Sequence, residues 1–218
     1  MKRSIALAGL MVLAAASSAA AQGRHSSASP SANACEPGTY SVVQAPDGSS
    51  VSILFHDFVA EHPQGGTATT IRRNCYLEVP LAIGAGMTAD LTTVDYRGFA
   101  QLASRQSMDL AVAYDAGPGN GQFRRRIQGR HSGDFAFTDR IAPGQLGVLA
   151  CGMRPPVLRI NASLTLSTGG QRAAAMASLD SADMAAGPVG ALTYRFTTAR
   201  CRPERPERPG QLPGVLSD

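Results

Sequence analysis

The chain has 218 residues, with 20 Lys and Arg against 16 Asp and Glu, a formal net charge of +4, and 44% hydrophobic residues. That charge is too small for a protein held to nucleic acid by its field. The apolar fraction is sufficient for one hydrophobic core.

Lys2 and Arg3 head an apolar run from Ile5 to Ala16, and Ala19, Ala20 and Ala21 follow. Basic, apolar and small-residue blocks in that order predict a secretory signal over 1–21, cleaved after Ala21. No later stretch approaches about 18 uncharged apolar residues, so no transmembrane segment is expected. Loss of Lys2 and Arg3 leaves 18 basic residues against 16 acidic, a net charge of +2. The expected location is extracellular or periplasmic. "QGRHSSASPSANA" (22–34) has almost nothing to bury and reads as a flexible linker.

Residues 35–201, from the first cysteine to the last, are the expected folded domain. Their dominant period is two, the signature of strands with one buried face. "YSVVQA" turns at Pro46-Asp47-Gly48 into "SVSILFHDF". His56 and Asp57 are a His–acid neighbour pair, and in a strand they would point to opposite faces, which disfavours a base–orienter pair. In "CYLEVPLAI" Leu77, Val79 and Leu81 alternate with Tyr76 and Glu78. In "TTVDYRGFAQL" Val94, Tyr96, Ala100 and Leu102 share the inward face. Asp95, Arg97, Phe99 and Gln101 share the other, where Asp95 and Arg97 can pair with each other or across to an adjoining strand. Gly98 marks a bulge or a close backbone approach. Because bulges re-aim side chains, Asp95, Tyr96 and Arg97 are candidate binding-surface residues beside the plainer reading of a solvent face.

"SMDLAVAY" turns Met108, Leu110, Val112 and Tyr114 inward. In "FRRRIQGR" Arg124 and Arg126 share one strand face, with Arg125 on the other beside Phe123 and Ile127. Arg124 and Arg126 are candidates for an anionic polymer; an edge strand blunted by charge explains the same run. "VLRINASLTL" alternates most cleanly, and its Asn161-Ala162-Ser163 is a formal glycosylation sequon on the polar side. "QRAAAMASLDSADMAA" (171–186) is assigned to a strand, with a helix as the alternative for so much alanine. Asp180 and Asp183 there fit no EF-hand spacing. "ALTYRFTT" turns Leu192, Tyr194 and Phe196 inward. About ten strands with Gly and Pro turns predict an antiparallel, jelly-roll-like β-sandwich. Residues 202–218 open with "RPERPERPG", in which proline recurs every third residue, and read as a disordered tail.

The four cysteines, Cys35, Cys75, Cys151 and Cys201, show no C-x-x-C spacing and no nearby His, which favours two disulfides over zinc. Hairpin geometry selects the pairing. Cys35 precedes the first strand, and the chain returns to that end where Cys75 opens a later strand. Cys151 precedes "VLRINASLTL" and Cys201 follows "ALTYRFTT"; as antiparallel neighbours, these strands bring the two cysteines together. The expected bridges are Cys35–Cys75 and Cys151–Cys201.

"ILFHDFVAE", "RRNCYLEVPLAIGAG", "TTVDYRGFAQL", "RINASLTL" and the closing cysteine come in the order of the family catalogued as domain of unknown function 4360, which this sequence resembles from Cys35 to Cys201. The resemblance implies a small secreted microbial protein and carries over no catalytic or binding residue. The sequence departs from that family in having no tryptophan near its last cysteine; Arg200 stands there.

No G-x-S-x-G elbow, H-E-x-x-H or phosphate loop occurs. No catalytic residue, metal or cofactor is therefore assigned. The expected function is a secreted, non-enzymatic β-sandwich that binds polysaccharide or another cell-envelope component, or serves as a surface structural protein. The alternative is a carbohydrate-active hydrolase, for which Glu78 and Asp95 are one carboxylate pair that a shared sheet face would bring together.

Overall fold

The computed structural model describes residues 33–117, 119–147, 149, 151, 156–179 and 191–201. The signal, nearly all of the linker, the tail, and Asp180 and Asp183 lie outside the described residues.

Eleven strands form two antiparallel sheets, and the described residues contain no helix. They are β1 (Tyr40–Gln44), β2 (Ser50–Phe55), β3 (Val59–His62), β4 (Thr70–Pro80), β5 (Met87–Leu102), β6 (Ser107–Asp115), β7 (Asn120–Gln128), β8 (His131–Arg140), β9 (Val157–Ser167), β10 (Ala175–Ser178) and β11 (Leu192–Arg200). One sheet has seven strands in the order β1-β2-β11-β5-β10-β3, with β8 on the other side of β5. The second has four, β4-β9-β6-β7. Eight strands make a jelly roll: β2-β11-β5-β8 in one sheet and β4-β9-β6-β7 in the other. β1 extends the first sheet, and the short β3 and β10 continue it beside the C-terminal half of β5.

The inward alternation read from the sequence is the core. On β9, Leu158, Ile160, Ala162, Leu164 and Leu166 are fully buried, as are Met108, Leu110 and Val112 on β6 and Val94, Tyr96 and Ala100 on β5. Full burial of one such aliphatic side chain contributes about 1.5–3 kcal/mol. Aromatic rings join the sheets: Tyr96 stacks on Phe123 at 3.9 Å between centroids, and Tyr114 meets Tyr194 edge-on at 5.9 Å.

Several expectations need correction. "SVSILFHDF" is not one strand; a bend at His56 and Asp57 separates β2 from β3. Only Ala175–Ser178 of 171–186 is a described strand. Gly98 carries no bulge: β5 stays in register with β8 through the Gly98–Phe135 pair. The close approach is the true reason for glycine, since a Cβ there would lie 2.1 Å from the Ser178 carbonyl oxygen and 2.4 Å from the Phe135 ring. The register shift of β5 falls earlier, where Thr93 faces Arg195 but Leu91 faces Phe196, leaving Thr92 as the extra residue.

Both disulfides form as expected, with Cα separations of 5.0 Å for Cys35–Cys75 and 5.7 Å for Cys151–Cys201. The geometry behind them differs. Cys75 lies in the middle of β4, not at its start. Asn33 runs parallel beside Asn74, and the Ala34 amide donates to the Asn74 carbonyl at 2.7 Å. The first bridge thus joins the lead into β1 to the outer edge of the other sheet. β9 and β11 belong to different sheets and are not neighbours. The second bridge instead clamps the start of β5, which has Leu149 on one side at Ala89 and the end of β11 on the other.

Candidate binding surfaces

The five candidate surface residues fall in three places. Asp95 and Arg97 lie on the outer face of the seven-stranded sheet. Asp95 does not pair with Arg97; it accepts from the Thr138 hydroxyl at 2.7 Å and the Arg195 guanidinium at 3.1 Å, both across strands. Tyr96 is fully buried against Phe123 and belongs to the core, not to a surface. Its phenol is held well above its ordinary pKa, chiefly by burial and then by Tyr194 and Tyr114. Arg124 and Arg126 lie on the outer face of the four-stranded sheet. Because Tyr96 and Phe123 meet between the sheets, their chain neighbours Asp95 and Arg124 point out on opposite sides of the sandwich. Arg125 faces the other way, 4.8 Å over the Phe123 ring.

The same alternation separates Glu78 from Asp95, one on each outer face, so they make no carboxylate pair. His56 sits in a bend with Nε2 3.0 Å from the Ser41 hydroxyl. Among the described residues no three His, Cys, Asp or Glu side chains gather as metal donors, and no helix is long and apolar enough to cross a membrane.

The outer face of the four-stranded sheet has an order that register makes visible. One row across β4, β9, β6 and β7 is Tyr76, Asn161, Ala113 and Gln122; the next is Asn74, Ser163, Ala111 and Arg124. Small side chains thus floor the middle, with half-exposed Tyr76 on one rim and Gln122 and Arg124 on the other. The rims stand roughly 14 Å apart, three strand spacings. Charged rows close both ends. In one, Arg159 donates to Glu78 at 3.2 Å and Asp115 at 3.5 Å, and the Tyr76 hydroxyl donates to Glu78 at 2.8 Å. In the other, Arg126 grips both oxygens of Asp109 at 2.9–3.0 Å, and Arg72 donates to Thr165 at 3.2 Å. The Tyr76 hydroxyl, then Arg159, hold the Glu78 carboxyl below its ordinary range. The Glu78 carboxylate in turn raises the Tyr76 phenol.

Sequence reading marks Tyr76 and Asn161 as outward-facing but does not place them on one face with Arg124. Strand order alone makes them neighbours, since 85 residues of chain separate Tyr76 from Asn161.

A family model described as "Domain of unknown function (DUF4360)" matches residues 24–201. Among solved structures, that of TmCBM61 in complex with beta-1,4-galactotriose shares 12% identity over 76% of this chain and 84% of that one, with a TM-score of 0.29. At that score the likeness has no bearing on the ligand. Among curated proteins there is no match.

Proposed function

The chain belongs to the DUF4360 family, and from that premise we propose a non-catalytic extracellular binding module that holds a polysaccharide on the outer face of its four-stranded sheet. The observation that carries this reading is the order of side chains on that face. It has a small-residue floor, an exposed tyrosine on one rim, amide and guanidinium donors on the other, and Asn161 and Ser163 in between. A sugar presents hydroxyls to such donors and an apolar ring face to an aromatic side chain. The two disulfides support an oxidising, extracellular setting.

Hydrolysis finds less support. A glycosidase needs one carboxyl with a raised pKa facing a second. Glu78 is shifted the other way, and Arg159 stands between it and Asp115.

Affinity electrophoresis of the mature chain in gels containing neutral polysaccharides tests the reading. At least one should retard the wild type, and Tyr76→Ala should abolish the retardation. Retardation by none, or retardation indifferent to Tyr76→Ala, would overturn it.

A further inference from the structure

The turns at one end of the sandwich carry a second, separate feature. Register brings four sheet-crossing connections together there. β4 starts where β9 ends, Thr70 facing Ser167; Ser107 at the start of β6 faces both Ser167 and Gln128 at the end of β7. In the other sheet Leu102 at the end of β5 faces His131 at the start of β8, and Ala175 at the start of β10 faces His62 at the end of β3. The connections at this end are therefore 63–69, 103–106, 129–130 and 168–174.

Their sequences are "PQGGTAT", "ASRQ", "GR" and "TGGQRAA". Together they carry three charged residues, Arg105, Arg130 and Arg172, and no acid. All three arginines are exposed, and none makes an ion pair among the described residues. The outer sheet faces are mixed: Arg126, Arg159 and Arg195 are matched to Asp109, Glu78, Asp115 and Asp95, while Arg97 and Arg124 make no ion pair among the described residues. The nearest acids along the strands are Glu61, Asp109 and Asp134, two to four residues from the connections; Asp109 is held by Arg126. At this end lies an open groove of about 570 Å³ lined by Leu102, Ala103, Ser104, Arg130, His131, Ser132 and Gln171.

The groove is built rather than accidental. Gln106 beneath it is fully buried. Its Oε1 accepts from the Ala103 amide at 2.7 Å, its Nε2 donates to the Ala173 carbonyl at 2.8 Å, and its own carbonyl accepts from the Gly129 amide at 2.9 Å. One side chain and its carbonyl thereby fix three of the four connections. Gly169 lets the 168–174 connection press against Arg105 as well, since a Cβ there would lie 2.1 Å from the Arg105 carbonyl oxygen. The Gly65 amide donates to the Arg172 carbonyl at 2.7 Å, which ties in the 63–69 connection.

We propose that this groove binds an anionic sugar unit of an acidic polysaccharide, a uronate carboxylate or a sulfate ester, with its oxyanion on Arg130. The guanidinium fork matches a planar or tetrahedral oxyanion through two parallel hydrogen bonds. Ser104, Ser132 and Gln171 offer hydroxyls and an amide to the hydroxyls of the same sugar. Arg105 and Arg172 flank the groove and bias the local field toward anions without an opposing carboxylate. The groove is open to solvent, so a chain can pass through where a closed pocket would admit only a free monosaccharide.

Isothermal titration of the mature chain with polygalacturonate, dextran sulfate and neutral dextran tests this. At least one anionic polymer should bind, and Arg130→Ala should weaken it about tenfold or more. Gln171→Ala should weaken it less, and Arg140→Ala, the same charge change at the far end of β8, should leave it unaltered. The polymer that binds identifies carboxylate or sulfate. Equal losses from Arg130→Ala and Arg140→Ala would mean diffuse attraction and would overturn the proposal, as would binding no tighter than to neutral dextran. Far-UV circular dichroism guards against misfolded variants. Tyr76→Ala is neutral toward this groove, so loss of neutral-polysaccharide binding there and loss of polyanion binding here are separate outcomes.

Discussion

Tyr96 shows how one side chain can read correctly in pattern and wrongly in role. Its alternation puts it inward, and it is inward; the expected bulge at Gly98 made it a candidate for a re-aimed surface side chain. That hydroxyl is buried without a hydrogen-bond partner among the described residues, as is that of Tyr194. An unsatisfied buried hydroxyl costs about 1–3 kcal/mol. Tyr96→Phe should therefore stabilise the fold, by about 1 kcal/mol in a urea melt; destabilisation would reveal a partner for the hydroxyl. Glu78 makes a prediction of the opposite kind. Its folded pKa is depressed, first by the Tyr76 hydroxyl and then by Arg159. Its stabilising contribution is thus present above the unfolded value, near 4.5, and lost as pH falls through the lower folded value. The difference in melting temperature between wild type and Glu78→Gln should stay constant from neutral pH to about pH 5 and vanish in stronger acid. A difference that grew on acidification would reverse the assigned sign.

At the scale of elements, two positions hold neighbouring segments together. Gly98 lets β10 and the Phe135 ring close on β5, so Gly98→Ala must push back either a backbone carbonyl or an aromatic ring. Overpacking of this kind costs about 1–3 kcal/mol and occasionally more; a urea midpoint equal to that of the wild type would show that the contact can relax. Gln106 is the counterpart for the turns. Gln106→Leu keeps the volume but strands the Ala103 amide and the Ala173 carbonyl. A loss of about 1–3 kcal/mol is expected for each buried group left unpaired. Hydrogen exchange should accelerate at Ala103 and Gly129 before it does in β9. Neither position was legible as such. Gly98 was marked as irregular, with bulge and close approach both open, and only the neighbouring strand decides between them. Gln106 looked like any polar turn residue, because the backbone groups it satisfies lie 3 and 67 residues away.

On the scale of the whole molecule, the two bridges tie the fold at separate places. Cys35–Cys75 links a lead-in of one sheet to the edge of the other, and Cys151–Cys201 clamps the two segments flanking the start of β5. They span sequence separations of 40 and 50 residues, for which chain entropy assigns roughly 4 kcal/mol each before strain. Replacing either pair by serine should lower the melting temperature by about 8–16 °C in a protein of this size. An unchanged melting temperature would mean that the bridge constrains little in the unfolded chain.

The sequence by itself determined the all-β class and, for most strands, the face they bury, because alternation is local: one residue's direction follows from its neighbour's; it did not separate β2 from β3 or mark β8. It also indicated the cysteine pairing, although through a β9–β11 adjacency and a Cys75 at a strand start that the fold does not have; which segments bring each pair together was decided by the sheets. Strand order, and with it every surface, belongs to the tertiary structure. Whether Arg124 shares a sheet face with Asp95 or with Tyr76, and whether four acid-free turns gather at one end, depends on which strands pair across tens of residues. Pairing is decided by how two sheets bury one core between them, a sum over distant contacts that no local period records.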